Sequence, residues 1–336
     1  MNAPLSPLGS RSGPIVALCG GVGGAKLALG LEREFGAAVS LVVNTGDDFE
    51  HLGLAISPDL DSVLYKLSGL SDEVRGWGRA DETWNFMAAL GELGGETWFQ
   101  LGDRDLALHV ERTRRLRLGE SLTQITESLR SRLGVRARLL PMSDAPVRTL
   151  VHTDEGTLPF QRYFVERRCA PAVTGFAFDG ASTAQPTAGV LAALAAPDLR
   201  AVVICPSNPY LSIDPILAIP GLRAALAAAR APIVAVSPII SGQAIKGPTA
   251  KIMAELNVPA TSAAIAAHYG TLIDGIVIDA ADAEERARIP APVSAVPTLM
   301  KTADDSVRLA QDVLRFADAL AAAGGVIHAD REAVRP

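Results

Sequence analysis

The stretch that decides the fold is IVALC at residues 15–19, followed at once by GGVGG at 20–24. A short, continuous apolar run of this kind is typical of a parallel strand that helices bury on both faces. The glycines predict a tight turn, and a helical pattern follows from Ala25 to Phe35. Ligands of open parallel sheets bind beyond the carboxyl ends of the strands, so the glycine turn is also the first candidate site.

The same order of strand, loop and helix is predicted again further along the chain. Strands are predicted at 40–45, 201–205, 233–237, 275–279 and 293–296. Helical patterns separate the later strands, as parallel βαβ units require. We therefore predict an α/β protein with a doubly wound, mainly parallel, Rossmann-like sheet and a largely helical insertion.

The predicted insertion divides the chain. Residues 1–13 are rich in Pro, Ser and Gly, and predict a disordered tail. We assign the α/β core to residues 14–70 together with 180–325. The segment 70–180 has several helical patterns and few strand signals before a more strand-like stretch at 145–179. It predicts a mostly helical insertion that caps the substrate.

The composition excludes several classes of protein. The chain has 336 residues, of which 49% are hydrophobic and 20% charged, enough for a large core. Its net charge of −6 argues against a nucleic-acid partner. No apolar run is long enough to span a membrane, and the N-terminus lacks the apolar region of a signal peptide. The three cysteines are too scattered for a disulfide framework. We expect a cytoplasmic, globular protein.

The glycine turn predicts an anion site. Gly21, Gly23 and Gly24 let backbone N–H groups approach a phosphate closely, and the helix that follows adds a favourable dipole. The pattern departs from both common phosphate-binding fingerprints. Lys26 follows Ala and precedes Leu, unlike a Walker A lysine, and it stands where the dinucleotide fingerprint has its last glycine. A purely structural turn is the alternative.

An acidic loop follows the second predicted strand. Asp47 and Asp48 come directly after this strand, and carboxylates beside a phosphate loop typically hold Mg²⁺. Asp59 and Asp61 follow Ser57-Pro58, which is typical of a helix start. Acids in a first helical turn also simply complement the helix dipole, and this interpretation is favoured for Asp59. Asp61 stays a candidate metal ligand.

Two further motifs carry residue types that suit a nucleotide or a flat substrate. RGWGRADETWN at 75–85 combines arginines with two tryptophans, which stack on heterocycles, although the spacing alone favours packing in a local core. Ser207 and Asn208 follow a predicted strand and offer donors to a base, a ribose or a phosphate. SPIISG at 237–242 stands in the same relation to the next strand.

Together these motifs resemble those of a known family, the phospholactate or phosphoenolpyruvate transferases of coenzyme F-420 biosynthesis. The resemblance covers the chain from about residue 15 to 320. It rests on GGVGGAK at 20–26, NTGDD at 44–48, SPDLDSVLY at 57–65, RGWGRADETWN at 75–85, LGDRDLA at 101–107, PSNPYLSIDPIL at 206–217 and SPIISGQAIKG at 237–247.

The resemblance implies an Mg²⁺-dependent homodimeric transferase with a Rossmann-like core. The donor would be a guanosine diphosphate ester of a three-carbon acid, and the acceptor the ribityl hydroxyl of the deazaflavin FO. GMP would leave. Phospholactate, enolpyruvyl phosphate and phosphoglycerate differ by one hydroxyl or one double bond, so the motifs do not distinguish them as donor moieties.

The resemblance implies that Asp47 and Arg79 contact FO, and the remaining roles are hypotheses from the residue types. Asp47 and Asp48 would be catalytic, and Asp47 with Asp61 would hold Mg²⁺. The residues that contact FO would be Asp47, Arg79, Trp84 and Asn85. Those that contact the nucleotide and its phosphates would be Gly21, Gly23, Gly24, Ser207 and Asn208.

Two other functions stay open. A non-enzymatic regulator that binds a nucleotide sugar would share the fold, but Phe49-Glu50-His51 after the aspartates favours the transferase. An NAD-dependent oxidoreductase is disfavoured because the dinucleotide pattern breaks at Lys26 and the second strand does not end in a ribose-binding acid.

Overall fold

A computed structural model describes residues 12–323. The strands are β1 (Ile15–Cys19), β2 (Val39–Val43), β3 (Phe49–His51), β4 (Leu54–Ile56), β5 (Arg138–Pro141), β6 (Arg148–Thr153), β7 (Gly156–Pro159), β8 (Val173–Asp179), β9 (Ala201–Ile204), β10 (Ile233–Val236), β11 (Ile239–Ile240), β12 (Gln243–Ala244), β13 (Gly275–Asp279) and β14 (Val293–Val296). The α-helices are α1 (Gly21–Phe35), α2 (Pro58–Ser68), α3 (Asn85–Glu92), α4 (Asp103–Arg117), α5 (Leu122–Arg132), α6 (Ala188–Leu194), α7 (Asp214–Leu217), α8 (Leu222–Ala228), α9 (Thr249–Glu255), α10 (Ser262–Tyr269) and α11 (Ala303–Ala323).

The central sheet has the order β14-β13-β10-β9-β1-β2-β5, and every neighbouring pair in it is parallel. All five residues of β1 are buried because helices cover both faces of the sheet. Val16 and Leu18 pack towards α6–α10, whereas the alternate residues of β1 pack towards α1, α2 and α11. The predicted α/β class and doubly wound parallel sheet are confirmed.

The segment 70–180 differs from a mostly helical insertion. Its first half contains α3, α4 and α5, but β5 then pairs with β2 and belongs to the central sheet. Strands β6, β7 and β8 form a separate antiparallel sheet of order β7-β6-β8. The four-residue β5 is too short to give a clear periodic signal, and the alternation of β6 is that of a strand with one buried face. The helical description therefore fits only the first half.

Two predictions concern the chain ends and membranes. The predicted tail at 1–13 lies outside the described residues, except for its last two. Within residues 12–323, no single helix has the length and apolarity that crossing a membrane requires. Pro209–Leu217 and Leu222–Ala228, which meet at a bend of 84°, pass that test as a pair on length and composition alone.

Candidate active site

A cavity of about 630 Å³ lies at the carboxyl ends of the central strands. Loops that follow β1, β2, β9, β10 and β14 contribute to its lining, together with side chains of α2 and α4. The loops after β1 and β9 lie on either side of the switch point, where the order in which the chain adds strands to the sheet reverses. Such crevices are where open α/β sheets bind ligands, and the volume suits a small molecule.

The glycine turn is held against the loop after β9. The Gly20 amide donates to Ser207 Oγ at 3.2 Å, and the same hydroxyl donates to the Gly20 carbonyl at 2.8 Å. A Cβ on Gly23 would overlap the carbonyl oxygen of Pro206, and one on Gly24 would overlap the Ser207 hydroxyl. These glycines are therefore needed for the close approach of the two loops.

The turn leaves fewer free amides than its four glycines suggest. The Gly21 amide, where α1 begins with φ +63°, donates to Asp59 Oδ1 at 2.5 Å. The first four N–H groups of an α-helix have no partner within the helix. Val22 and Gly23 line the cavity, so their amides are the ones placed for an anionic ligand, whereas Gly24 lies behind the lining.

Asn208 lies beside this turn and lines the cavity. Its Oδ1 accepts from the backbone amides of Tyr210 at 3.0 Å and Leu211 at 3.1 Å. These two bonds fix the orientation of the side-chain amide. Its buried Nδ2 has no hydrogen-bond partner among the described residues, so it is left as a donor for a ligand.

The floor of the site is acidic and buried. Asp47, Asp48, Asp59 and Asp61 are each less than one-tenth exposed. Asp59 accepts from the side-chain amide of Asn44 at 2.9 Å, and the same nitrogen lies 3.5 Å from Asp47 Oδ1. That single amide group therefore bridges two carboxylates that follow different strands of the site.

Asp48 faces away from the large cavity. It lines a neighbouring cavity of about 400 Å³, which Asp47 also lines. Its Oδ2 accepts from the hydroxyl of Ser57 at 2.7 Å, and its Oδ1 has no partner among the described residues. Ser57 precedes α2 as predicted, but its hydroxyl donates to Asp48 and forms no hydrogen bond that caps the helix.

Burial raises the pKa of these carboxyl groups. The pKa of Asp47 lies well above its usual range because of burial and because the charges of Asp59 and Asp48 are close. Burial raises the pKa of Asp48 to about 7, against the opposing hydrogen bond from Ser57, and that of Asp59 to about 6. Within residues 12–323, Asp47, Asp48 and Asp59 form no ion pair, and a bound cation would offset their negative charge.

Asp61 is already neutralised. It forms a buried ion pair with Arg112, with Arg112 Nη1 at 3.0 Å from Asp61 Oδ2, and His109 lies 3.7 Å from the same oxygen. The carboxylate that shares an amide with Asp47 is Asp59. The structure therefore brings Asp47 together with Asp59, and the predicted metal role of Asp61 stays a prediction.

The Asp47–Asp59 pair suits Mg²⁺. Among residues 12–323, no three His, Cys, Asp or Glu side chains converge as a metal cage built from protein alone would require. Mg²⁺ usually binds one or two carboxylates and completes its shell with water and substrate phosphate oxygens. Two buried, uncompensated carboxylates beside the glycine turn meet that requirement.

Of the residues expected to contact FO, Asp47 lines the cavity and the other three do not. Arg79, Trp84 and Asn85 are absent from the lining. The side-chain amide of Asn85 donates to Asp103 at 2.9 Å and so joins the starts of α3 and α4. Trp84 packs behind Arg75, which lines the cavity together with Trp77.

An aromatic wall that the motifs do not predict lines the same cavity. It consists of Phe99, Phe160 and Phe164, and the last two are stacked with ring centroids 5.3 Å apart. Tyr65 lies deeper and donates from its hydroxyl to Asp105 at 2.5 Å. Tyr65, Phe99 and the neighbouring pair Phe160 and Phe164 come from three separate segments, which the tertiary fold brings together.

The fold and the site define a Rossmann-like α/β protein with a ligand cavity at the carboxyl ends of its parallel strands. The family model described as 2-phospho-L-lactate transferase CofD matches residues 15–299, and the chain belongs to this family. By family, it is a transferase of coenzyme F-420 biosynthesis.

Named relatives and a solved structure extend the comparison. The chain is 45% identical to the phosphoenolpyruvate transferase of Kitasatospora aureofaciens and 40% identical to that of Streptomyces avermitilis. Each comparison covers 90% of this chain and 98% of the relative. A crystal structure of a UPF0052 family member from Bacillus halodurans has a TM-score of 0.57 at 17% identity, covering 90% of this chain and 100% of that one. That structure shows a shared fold.

Proposed function

We propose that the protein transfers the three-carbon phosphoacid moiety of a guanosine diphosphate ester to the ribityl hydroxyl of FO, with release of GMP. The observation that carries the proposal is one cavity that joins the glycine turn, the buried acidic floor and the aromatic wall. Family membership supports the reaction class. The names of the relatives favour enolpyruvyl phosphate as the moiety transferred.

The donor nucleotide would lie along the loops after β1 and β9. The amides of Val22 and Gly23 would hold diphosphate oxygens, with support from the dipole of α1. Asn208 Nδ2 would donate to an acceptor oxygen of the nucleotide, since its other amide atom is already engaged. Ser207 would act indirectly, because its hydroxyl holds the Gly20 turn in place.

Asp47 and Asp59 would hold Mg²⁺ against the diphosphate. The ion would supply neutralisation of the phosphate charge, which dominates catalysis of phosphoryl transfer together with positioning. Asp47 would also orient the attacking hydroxyl. Asp48 would act from the neighbouring cavity by keeping the Asp47 loop in place through its bond with Ser57.

The acceptor would lie on the opposite side of the acidic floor. Phe99, Phe160 and Phe164 offer the flat apolar surface that a deazaflavin ring needs. A ring placed there would direct its ribityl chain towards Asp47. The family resemblance leads us to propose further that the protein acts as a cytoplasmic homodimer, and sedimentation equilibrium tests the dimer.

The reaction is tested by combining the purified protein with FO, Mg²⁺ and each guanosine diphosphate ester of the three candidate acids. We expect one ester to give GMP and a deazaflavin product whose mass exceeds that of FO by the phosphoacid moiety, in equal amounts. Absence of product with all three esters would refute the proposal. Tight binding of a nucleotide sugar without turnover would support the regulatory alternative.

A further inference from the structure

The large cavity is lined by side chains of both charges. The acidic floor lies at the strand ends, whereas the rim carries Lys26 of α1, Arg75 of the loop before α3 and Lys246 of the loop after β12. We call these three residues the basic rim. They come from three separate parts of the chain, so their convergence on one cavity follows from the tertiary fold.

Arg75 is held in a fixed orientation. Its guanidinium contacts two indole rings, 5.0 Å from the ring centroid of Trp77 and 4.7 Å from that of Trp84, and these two centroids are 6.2 Å apart. Its Nη2 donates to Asp72 Oδ2 at 2.7 Å. Its Nη1 has no hydrogen-bond partner among the described residues. The two indole rings and Asp72 therefore hold the guanidinium, and its Nη1 is left as a donor.

The two lysines lack carboxylate partners. Lys26 Nζ donates to the carbonyl of Met300 at 2.7 Å, and within the described residues neither Lys26 nor Lys246 forms an ion pair. A Cβ on Gly76 would overlap Lys246 Nζ, so this glycine lets the lysine reach the Arg75 loop. Burial lowers the pKa of Lys26, and the charges of Lys66 and Lys246 lower it further. The rim thus carries positive charge that an anionic ligand would compensate.

We infer that the basic rim is an anion subsite that binds an anionic group of the donor substrate, with Arg75 as the residue that recognises this group. The inference rests on the proposed function. The donor carries two phosphates and a carboxylate, and the glycine turn and the acidic floor would contact only some of the diphosphate oxygens and not the carboxylate. The shared chemistry is an anionic oxygen pair, which either the carboxylate or the other diphosphate oxygens would supply.

The test compares Arg75→Gln, Arg75→Lys and Lys246→Gln with wild type. Calorimetry in Mg²⁺ measures the affinity for GMP, GDP and the productive ester, and steady-state kinetics give KM for the ester and for FO. We expect Arg75→Gln to weaken ester binding about 10- to 100-fold, as for loss of a charged hydrogen bond, and to leave KM for FO within about twofold. Arg75→Lys should recover part of the loss, because it keeps the charge without the planar fork.

Comparing the affinities for the ester and for GDP shows whether the subsite binds the carboxylate or a phosphate. Loss confined to the ester assigns the subsite to the carboxylate, whereas an equal loss for GDP assigns it to a phosphate. Arg162→Gln is the matched control, because Arg162 also stacks on a tryptophan, 4.3 Å from the ring centroid of Trp98, but lies outside this cavity. It should leave ester affinity unchanged.

Several outcomes would overturn the inference. Unchanged ester and GDP affinity in Arg75→Gln would do so, as would a rise in KM for FO alone. If Arg75→Gln does not fold, Lys246→Gln tests the inference in its place, because this change breaks no hydrogen bond or ion pair of the described residues. We expect Lys246→Gln to weaken ester binding about three- to tenfold. Calorimetry does not require turnover, so a failure of the proposed reaction in wild type would be recognised separately.

Discussion

Asp47 is the residue on which the proposed chemistry depends most, because it lines both cavities and forms no ion pair with any residue in the described part of the chain. We expect Asp47→Asn to keep the fold and to lose at least about 100-fold in turnover, since an amide cannot neutralise the cation. Kinetics at subsaturating Mg²⁺ measure the effect. Asp198→Asn, which changes an exposed aspartate, serves as the control. Turnover within a few-fold of wild type would contradict the metal role.

Asp48 allows a prediction about stability and pH. Its pKa of about 7 in the folded chain exceeds the ordinary value near 4, so the folded state binds more protons between these two pH values. The contribution of Asp48 to stability therefore falls as pH rises through this window. We expect Asp48→Asn to raise the melting temperature by several degrees at pH 8 and by little at pH 4, in the absence of metal. An equal gain at both pH values would contradict this origin.

At the residue scale, Asp59 marks the limit of what the sequence predicts. A first-turn acid of a helix has a sufficient explanation in the helix dipole, so nothing local distinguishes Asp59 from Asp61. The distinction depends on contacts across the fold. Asp59 accepts hydrogen bonds from Gly21 and Asn44, whereas Asp61 forms an ion pair with Arg112. The sequence pattern at 57–61 predicts that both aspartates lie near the site, but it does not predict which residues they bind.

At the scale of elements, the start of α1 and the loop after β9 act as one unit. Gly23 does not have a positive φ, so the need for glycine there comes from the carbonyl of Pro206. We expect Gly23→Val to push the loops apart and to abolish measurable donor binding, as followed by calorimetry with GDP. Gly91→Ala is the control, because a Cβ at this helical position makes only ordinary contacts. Unchanged GDP affinity in a folded Gly23→Val protein would show that the turn is only structural.

Elements with a strong local signal are the ones that the sequence predicts well. The strands at 15–19 and 201–204 are continuous apolar runs, and the strand at 275–279 contains the apolar run Ile276–Ile278. Strand β5 is missed because its four residues pair with β2 from more than ninety residues away. The aromatic wall is missed for the same reason, since its members share no motif.

At the scale of the whole molecule, the site is built from loops that span most of the chain, from Gly20 to Met300. A ligand that bridges them should stabilise the entire fold. We expect GMP at about 100 times its Kd, with Mg²⁺, to raise the melting temperature by about 4–8 °C. Chelation of Mg²⁺ should remove most of this shift in a thermal melt. A shift that is equal with and without the metal would argue against a shared metal and phosphate site.

The central place of β1 in the sheet has a consequence for how the protein is made. Its neighbour β2 leaves the ribosome soon after it, but its other neighbour, β9, begins only at Ala201. At about 5–20 residues per second, the second edge of β1 stays without its partner for roughly 10–40 s of translation. The newborn chain therefore carries an apolar strand with an open edge for most of its synthesis, which is the kind of segment that holding chaperones bind.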